Sequence, residues 1–300
     1  DAWRGGQWLT LPAETQYEML TNGKALIKGH KTRMAKPVPI PANTTVGQVG
    51  GGAPIFSLLR FEGHRPVWSE ELLHAAHHLQ KTGGVDALSP TDYPHAATDL
   101  IMACKKYATT SSKRLAVFSS ITPWVELTLL NFSHASSITT IDYNPPIIPS
   151  DALRGKLRTL AQPGLADAYA KGEANFDLIV AFSGLEHDGL GRYGDPVNPN
   201  GDLAAMREIY LCLRPGGILL LAVPTCKEDL LVYPNHRFYG PERLKLLVEA
   251  ANFTVRGRVW DGKSVEGGLE TAPQAEPALY GPDCHESKWA WQYQPVLVLE

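Results

Sequence analysis

The densest run of reactive side chains is Leu185-Glu186-His187-Asp188-Gly189-Leu190-Gly191-Arg192-Tyr193-Gly194-Asp195-Pro196. Imidazole titrates near neutrality, so a placed histidine can take the proton of an attacking hydroxyl. His187 is therefore the candidate general base. Asp188 or Asp195 would orient it, and Arg192 would clamp an acidic or sugar-like acceptor. His236, followed by Arg237, is a further candidate for the same pocket. Glycines let such a loop fold tightly over a ligand. Two other readings stand beside this one. Asp188, Asp195 and Asp202 could hold a divalent metal that polarises a diol, but they match no known ligand spacing, and no metal is assigned. The run through Asn198-Pro199-Asn200-Gly201-Asp202 also reads as a rigid loop, with Asp202 capping the next helix.

Two more clusters accompany it. The first is Ser119-Ser120-Ile121-Thr122-Pro123-Trp124, and the second is Asp142-Tyr143-Asn144. An acid about 20 residues past the first loop of a doubly wound sheet can accept both hydroxyls of a ribose. Asp142 lies 23 residues after Ser119. The bland alternative is a turn, since Asp-x-Asn stands before Pro145-Pro146. Ser119, Ser120, Trp124, Asp142, Tyr143 and Ser183 are the candidate cofactor-binding residues.

The elements that must position these groups follow from hydrophobic periodicity. Residues 115–118, 137–141, 176–182, 218–223, 253–260 and 296–299 read as strands. Helices are expected from a Ser69 N-cap onward, over 94–107, 124–132, 202–213 and 241–250, and in short pieces within 151–172. Arg214-Pro215-Gly216-Gly217 reads as a turn. Continuous apolar strands alternating with helices give an α/β fold, mostly parallel and covered on both faces. In such sheets ligands bind beyond the carboxyl ends of the strands, and the three clusters sit at such ends.

The order of these elements, with Arg214-Pro215-Gly216-Gly217 before an apolar strand, resembles class I S-adenosylmethionine-dependent methyltransferases. The 185–202 run, the Ser119–Trp124 and Asp142–Asn144 blocks and Asn235-His236-Arg237-Phe238-Tyr239-Gly240 are similar to the blocks of the DUF268 family of methyltransferase-like proteins. The resemblance implies a Rossmann-like, doubly wound, seven-stranded sheet whose last strand, 296–299, is antiparallel. It implies S-adenosyl-L-methionine as cofactor, and with His187 as base for a hydroxyl the expected reaction is O-methylation of a small polar or glycan acceptor. The first loop departs from the glycine-rich methyltransferase pattern, because Ser119 and Ser120 stand where glycines let a cofactor approach. That departure motivates a second reading, a degenerate relative serving as a structural or assembly subunit. A nicotinamide-dependent oxidoreductase is disfavoured, since no GxGxxG follows the first strand.

Composition narrows the classes further. The 300 residues are 44% hydrophobic, which suffices for a real core, and 28 basic against 31 acidic residues give a net charge of −3. That balance argues against a nucleic-acid partner. The apolar run 218–223 is far short of the roughly 20 residues a bilayer span needs. Pro37, Pro39, Pro41 and Gly50-Gly51-Gly52 mark residues 1–66 as an extended arm before a domain over 67–300. That domain divides into a core over 114–260, an extension over 261–294 and a last strand over 295–300. The arm and the 262–294 tail, with Trp289 and Trp291, are candidate surfaces for a protein partner. The helix after Ser69 carries His74, His77 and His78, read as a solvated face rather than a metal site. The four widely spaced cysteines read as buried or idle thiols, with disulfides as the alternative. The start at Asp1, with no Met and no apolar leader, reads as that of a processed or truncated soluble chain, with an organelle or secretory lumen as one expected location.

Overall fold

The structure, a computed structural model, describes residues 59–90, 92–108, 114–133, 135–149, 155–233, 235–269, 277–284 and 290–300. The expected arm up to residue 58, including Gly50–Gly52, and Trp289 of the tail lie outside the described residues. The described end of the arm is a hairpin of β1 (Arg60–Glu62) and β2 (Arg65–Val67), with Phe61 buried. Helix α1 (Glu70–Gly83) follows, its first turn capped by the Ser69 hydroxyl, which accepts from the Leu72 amide at 3.2 Å. Helix α2 (Ala96–Tyr107) leads into β3 (Arg114–Phe118), α3 (Trp124–Phe132) and β4 (Ser137–Asp142).

Next come β5 (Leu157–Ala161), α4 (Leu165–Ala170) and β6 (Phe176–Phe182). Then follow α5 (Gly201–Cys212), β7 (Leu213–Ala222), β8 (Leu230–Val232), β9 (His236–Phe238) and α6 (Pro241–Glu249). The chain closes with β10 (Val255–Trp260), β11 (Lys263–Glu266) and β12 (Val296–Leu299).

The main sheet has the order β11-β10-β12-β7-β6-β3-β4-β5. Strands β3 to β7 pair in parallel, whereas β12 is antiparallel to both β7 and β10. The seven-stranded mostly parallel sheet is therefore present, and β11 folds back on β10 as an eighth strand. Strand β5 occupies a stretch expected to hold only helices. It is an edge strand whose side chains are mostly exposed, so it lacks the apolar run that marks a central strand.

Alternate residues of each central strand enter opposite layers, as the period of two requires. Leu115, Val117, Leu178, Val180, Val296 and Val298 pack with α1, α2 and α3. Ala116, Phe118, Ile179, Ala181, Leu297 and Leu299 pack with α4, α5 and α6. Burying one such side chain is worth about 1.5–3 kcal/mol, so both layers hold the strand ends in place. The expected turn at 214–217 is a bulge at the start of β7, with Gly216 at φ +75° and a shift of register against β6.

The cysteine expectation needs correction. Cys226 and Cys284 form a disulfide across 58 residues, while Cys104 and Cys212 are free and buried. Spacing alone could not show this, because the loop after β7 and the tail meet only in the folded chain. Among the described residues, no helix is long and apolar enough to cross a membrane.

Candidate functional site

The carboxyl ends of β3, β4 and β6 open into a cavity of about 460 Å³. Strand order reverses around β3, where a doubly wound sheet leaves its ligand crevice. All eleven expected site residues line this cavity, namely Ser119, Ser120, Trp124, Asp142, Tyr143, Ser183, His187, Asp188, Arg192, Asp195 and His236. Asp92, Asp142, Glu186, Asp188 and Asp195 bring five carboxyl groups to its lining, against one arginine, Arg192.

At the sharp strand-to-loop turns, Ser119 and Ser183 hold φ of +59° and +50°. This region disfavours a side chain by about 1–2 kcal/mol, and such outliers cluster at functional sites. Gly184 makes the turn possible, since a Cβ there would lie 2.4 Å from the Ser119 Cβ. Asp142 is both a turn residue and a cavity residue: its Oδ1 accepts the Asn144 amide at 2.7 Å. Burial raises its pKa to about 6, although the amides of Asn144 and Ser120 oppose the shift. Asn144 donates through Nδ2 to the Tyr193 carbonyl at 2.7 Å, tying the β4 loop to the 184–202 loop.

His187 is oriented by neither expected aspartate. Its Nδ1 lies 2.5 Å from the Asn235 carbonyl, and its Nε2 lies 3.6 Å from Glu186 Oε1. A carbonyl can only accept, so Nδ1 carries the proton and Nε2 keeps its lone pair. Burial, then the nearby Arg192 charge, holds the His187 pKa well below the ordinary imidazole value. The ring is neutral at physiological pH. Burial and Arg192 likewise lower His236, to about 4.

Asp195 shapes the loop. Its Oδ2 accepts the amides of Gly189 (2.8 Å) and Gly191 (3.2 Å), and its Oδ1 accepts that of Tyr193 (3.3 Å). Arg192 donates to the Asn235 carbonyl at 3.2 Å and lies 5.2 Å from the Tyr193 ring centroid. Asp188 has its Oδ2 buried with no partner among the described residues. Burial, reinforced by Asp195, holds its pKa well above the carboxylate range.

Asp202 is not the cap of α5. Asn200 precedes the helix, and Asp202 lies inside its first turn, fully buried. It meets Arg243 at 2.5 Å and Arg237 at 3.7 Å, and it accepts the Tyr239 hydroxyl at 3.1 Å. Arg237 is likewise turned into the loop rather than the cavity, donating to the carbonyls of Asp188 (2.7 Å), Glu186 (3.3 Å) and Pro199 (3.3 Å). With Asp202 paired and Asp195 on three amides, the alternative metal set is not assembled. No group of three or more ligating side chains occurs among the described residues.

The loop also depends on Gly189, at φ +77°, where a Cβ would stand 2.1 Å from the Asn198 carbonyl oxygen. Gly189→Ala is expected to destabilise the protein by about 2–4 kcal/mol through backbone strain and overpacking. Urea unfolding would measure this, and hydrogen exchange should show faster opening of 184–202. A stability equal to the parent's would mean that the loop is not packed this way.

Several site residues were not anticipated. Glu186 is buried, accepts the Ser183 hydroxyl at 2.7 Å through Oε1, and leaves Oε2 without a partner among the described residues. Burial lifts its pKa to about 7. Gln294, just before β12, donates to the Tyr93 hydroxyl at 2.9 Å, and its Oε1 has no partner among the described residues. A buried polar atom left this way costs about 1–3 kcal/mol, which suits a binding site better than a core. Glu126 in α3 lies between the hydroxyls of Thr140 (2.8 Å) and Ser120 (3.1 Å), and burial raises its pKa to about 7. A glutamate inside the apolar run 124–130 was its available signal. Tyr93 and Gln294 had none, being 201 residues apart.

The sheet order, the single antiparallel strand within its seven-stranded core and the cavity at the strand ends define a Rossmann-like, doubly wound α/β fold. Residues 112–257 match the family described as "Caenorhabditis protein of unknown function, DUF268". No curated protein matches the chain.

Solved structures resemble the fold at low identity. One is a putative methyltransferase complexed with SAH, with 9% identity and a TM-score of 0.38, covering 69% of this chain and 49% of that one. Another is an O-methyltransferase family protein from Burkholderia thailandensis, with 12% identity, a TM-score of 0.37 and coverage of 68% and 63%. A chain of the complex between the Haloferax volcanii Trm112 methyltransferase activator and the putative methyltransferase matches at 10% identity, with a TM-score of 0.41 and coverage of 75% and 96%. The chain thus spans about half the length of the first of these structures and under two thirds of the second.

Proposed function

We propose that this protein is an S-adenosylmethionine-dependent methyltransferase acting on a hydroxyl of a small polar or sugar-like acceptor. One observation carries the reading. A half-buried His187, its pKa held below the ordinary imidazole value, has its Nδ1–H held by the Asn235 carbonyl, in a cavity that also contains a strand-end acid, Asp142. The residues suit the cofactor: Asp142 would accept the ribose hydroxyls, and Ser119, Ser120, Tyr143, Trp124 and Ser183 would border it. The unpartnered carboxyl oxygen of Asp188 is consistent with a site awaiting a polar ligand. When bound, the cofactor supplies an activated methyl group. His187 Nε2 would take the acceptor's proton, and Arg192 would hold the acceptor near it.

Isothermal titration with S-adenosylhomocysteine tests the cofactor half. Asp142→Ala removes two charge-assisted hydrogen bonds, so affinity is expected to fall about 100-fold or more. Absence of binding to the parent protein at millimolar ligand would defeat the reading. It would favour a structural or assembly subunit, to which the side chain at Ser119, held at φ +59°, lends support.

A further inference from the structure

At the β6–β12 end of the cavity, two acceptor atoms lack donors. Glu186 is 1% exposed and Gln294 0%, yet Glu186 Oε2 and Gln294 Oε1 have no partner among the described residues. The Gln294 amide cannot be turned over to cure this. Its Nε2 faces the Trp291 carbonyl at 3.0 Å, and a carbonyl only accepts. The Ser183 hydroxyl bridges the pair, 2.7 Å from Glu186 Oε1 and 3.0 Å from Gln294 Nε2. The adjoining wall is aromatic, with Tyr93 5.4 Å from Phe182 and 5.7 Å from Trp291 between ring centroids.

We infer that this end of the cavity is a subsite for a protonated amine of the acceptor, received by Glu186 and Gln294 against the aromatic wall. The assignment to the acceptor rests on the methyltransferase reading above. An ammonium is a donor-only group and complements two acceptors without donors. A carboxylate favours its charge, and aromatic rings attract cations. An acidic acceptor would instead meet like charge, and a neutral one would leave the carboxylate uncompensated.

Asp142 ends β4, whereas Ser183 follows β6, on the other side of β3. Two strand spacings, about 10 Å, separate them. Ser183 marks the limit of the proposed cofactor border, and Gln294, just before β12, lies beyond it on the side away from Asp142. The cofactor's own amine is the other source of the same chemistry, so the test separates the two.

Benzylamine and benzyl alcohol are titrated into the full chain at pH 8 by ligand-observed NMR, with and without saturating S-adenosylhomocysteine. Glu186→Gln keeps the shape and removes the charge. The parent is expected to prefer benzylamine about tenfold or more, and Glu186→Gln to abolish that preference. Preference that persists under S-adenosylhomocysteine supports the acceptor subsite. Displacement of benzylamine by S-adenosylhomocysteine, together with lost cofactor affinity in Glu186→Gln, would assign the amine to the cofactor and overturn the proposal. So would equal binding of amine and alcohol while S-adenosylhomocysteine still binds. If the preference holds but S-adenosylhomocysteine does not bind, the amine subsite stands and the methyltransferase reading fails.

Discussion

His187→Ala is expected to lower turnover by about 10²–10⁴-fold, the usual contribution of a positioned general base, while leaving S-adenosylhomocysteine affinity unchanged. The asymmetry follows from geometry. His187 receives its orientation from the Asn235 carbonyl, whereas the cofactor's candidate anchor is Asp142, on another strand. Single-turnover kinetics beside calorimetry would measure both.

The pH profile gives an independent check. Burial and Arg192 hold the His187 pKa well below 6.5, so the imidazole stays neutral and competent as pH falls through the ordinary histidine range. The acid limb belonging to His187 must therefore lie below that range. A limb near pH 7 would belong to Glu186 or Glu126, whose pKa values burial lifts to about 7; Glu186→Gln should remove it in the first case and leave it in the second. Undiminished turnover in His187→Ala would assign the proton to another group.

Asp202→Asn is expected to cost about 3–5 kcal/mol, because it strands the buried Arg237 and half-buried Arg243 guanidinium groups without their counter-charge. Asp202 is 0% exposed and faces both Arg237 and Arg243. The same arginines hold the Pro199 carbonyl, and Arg237 also holds those of Glu186 and Asp188. The loss should thus loosen the 184–202 loop as well as the core. Urea denaturation would read it as a lower midpoint.

The pH dependence has a definite sign. Burial tends to raise the Asp202 pKa, but Arg237 and Arg243 outweigh it and leave the value depressed. The ion pair's contribution is then present above the unfolded carboxylate pKa, near about 3.9. It disappears as pH falls through the lower folded value. Asp202→Asn should lack this acid-sensitive increment, and an unchanged stability curve would show that the pair is not formed.

Much of the scaffold was legible from periodicity, because burial on both faces of a strand requires an uninterrupted apolar run. Phe176–Phe182 and Trp124–Phe132 occur where the pattern predicts them. Strand β5 escaped, since an edge strand with exposed side chains carries no such run. The residues lining the cavity were legible for a related reason: loops after parallel strands share one edge of the sheet, so Ser119, Asp142 and His187 had to converge.

The sequence by itself determined the α/β class, the apolar strands of the sheet and which loops face the ligand crevice, all consequences of local pattern. Only the tertiary structure decided what each polar group does there. It gave Asp195 to backbone amides, Asp202 to two arginines and the orientation of His187 to a carbonyl 48 residues away. It also joined Cys226 to Cys284 and brought Gln294 to Tyr93. Hydrogen bonds and ion pairs act over a few ångströms in space and are indifferent to separation along the chain. No spacing rule can assign such partners before the chain has folded.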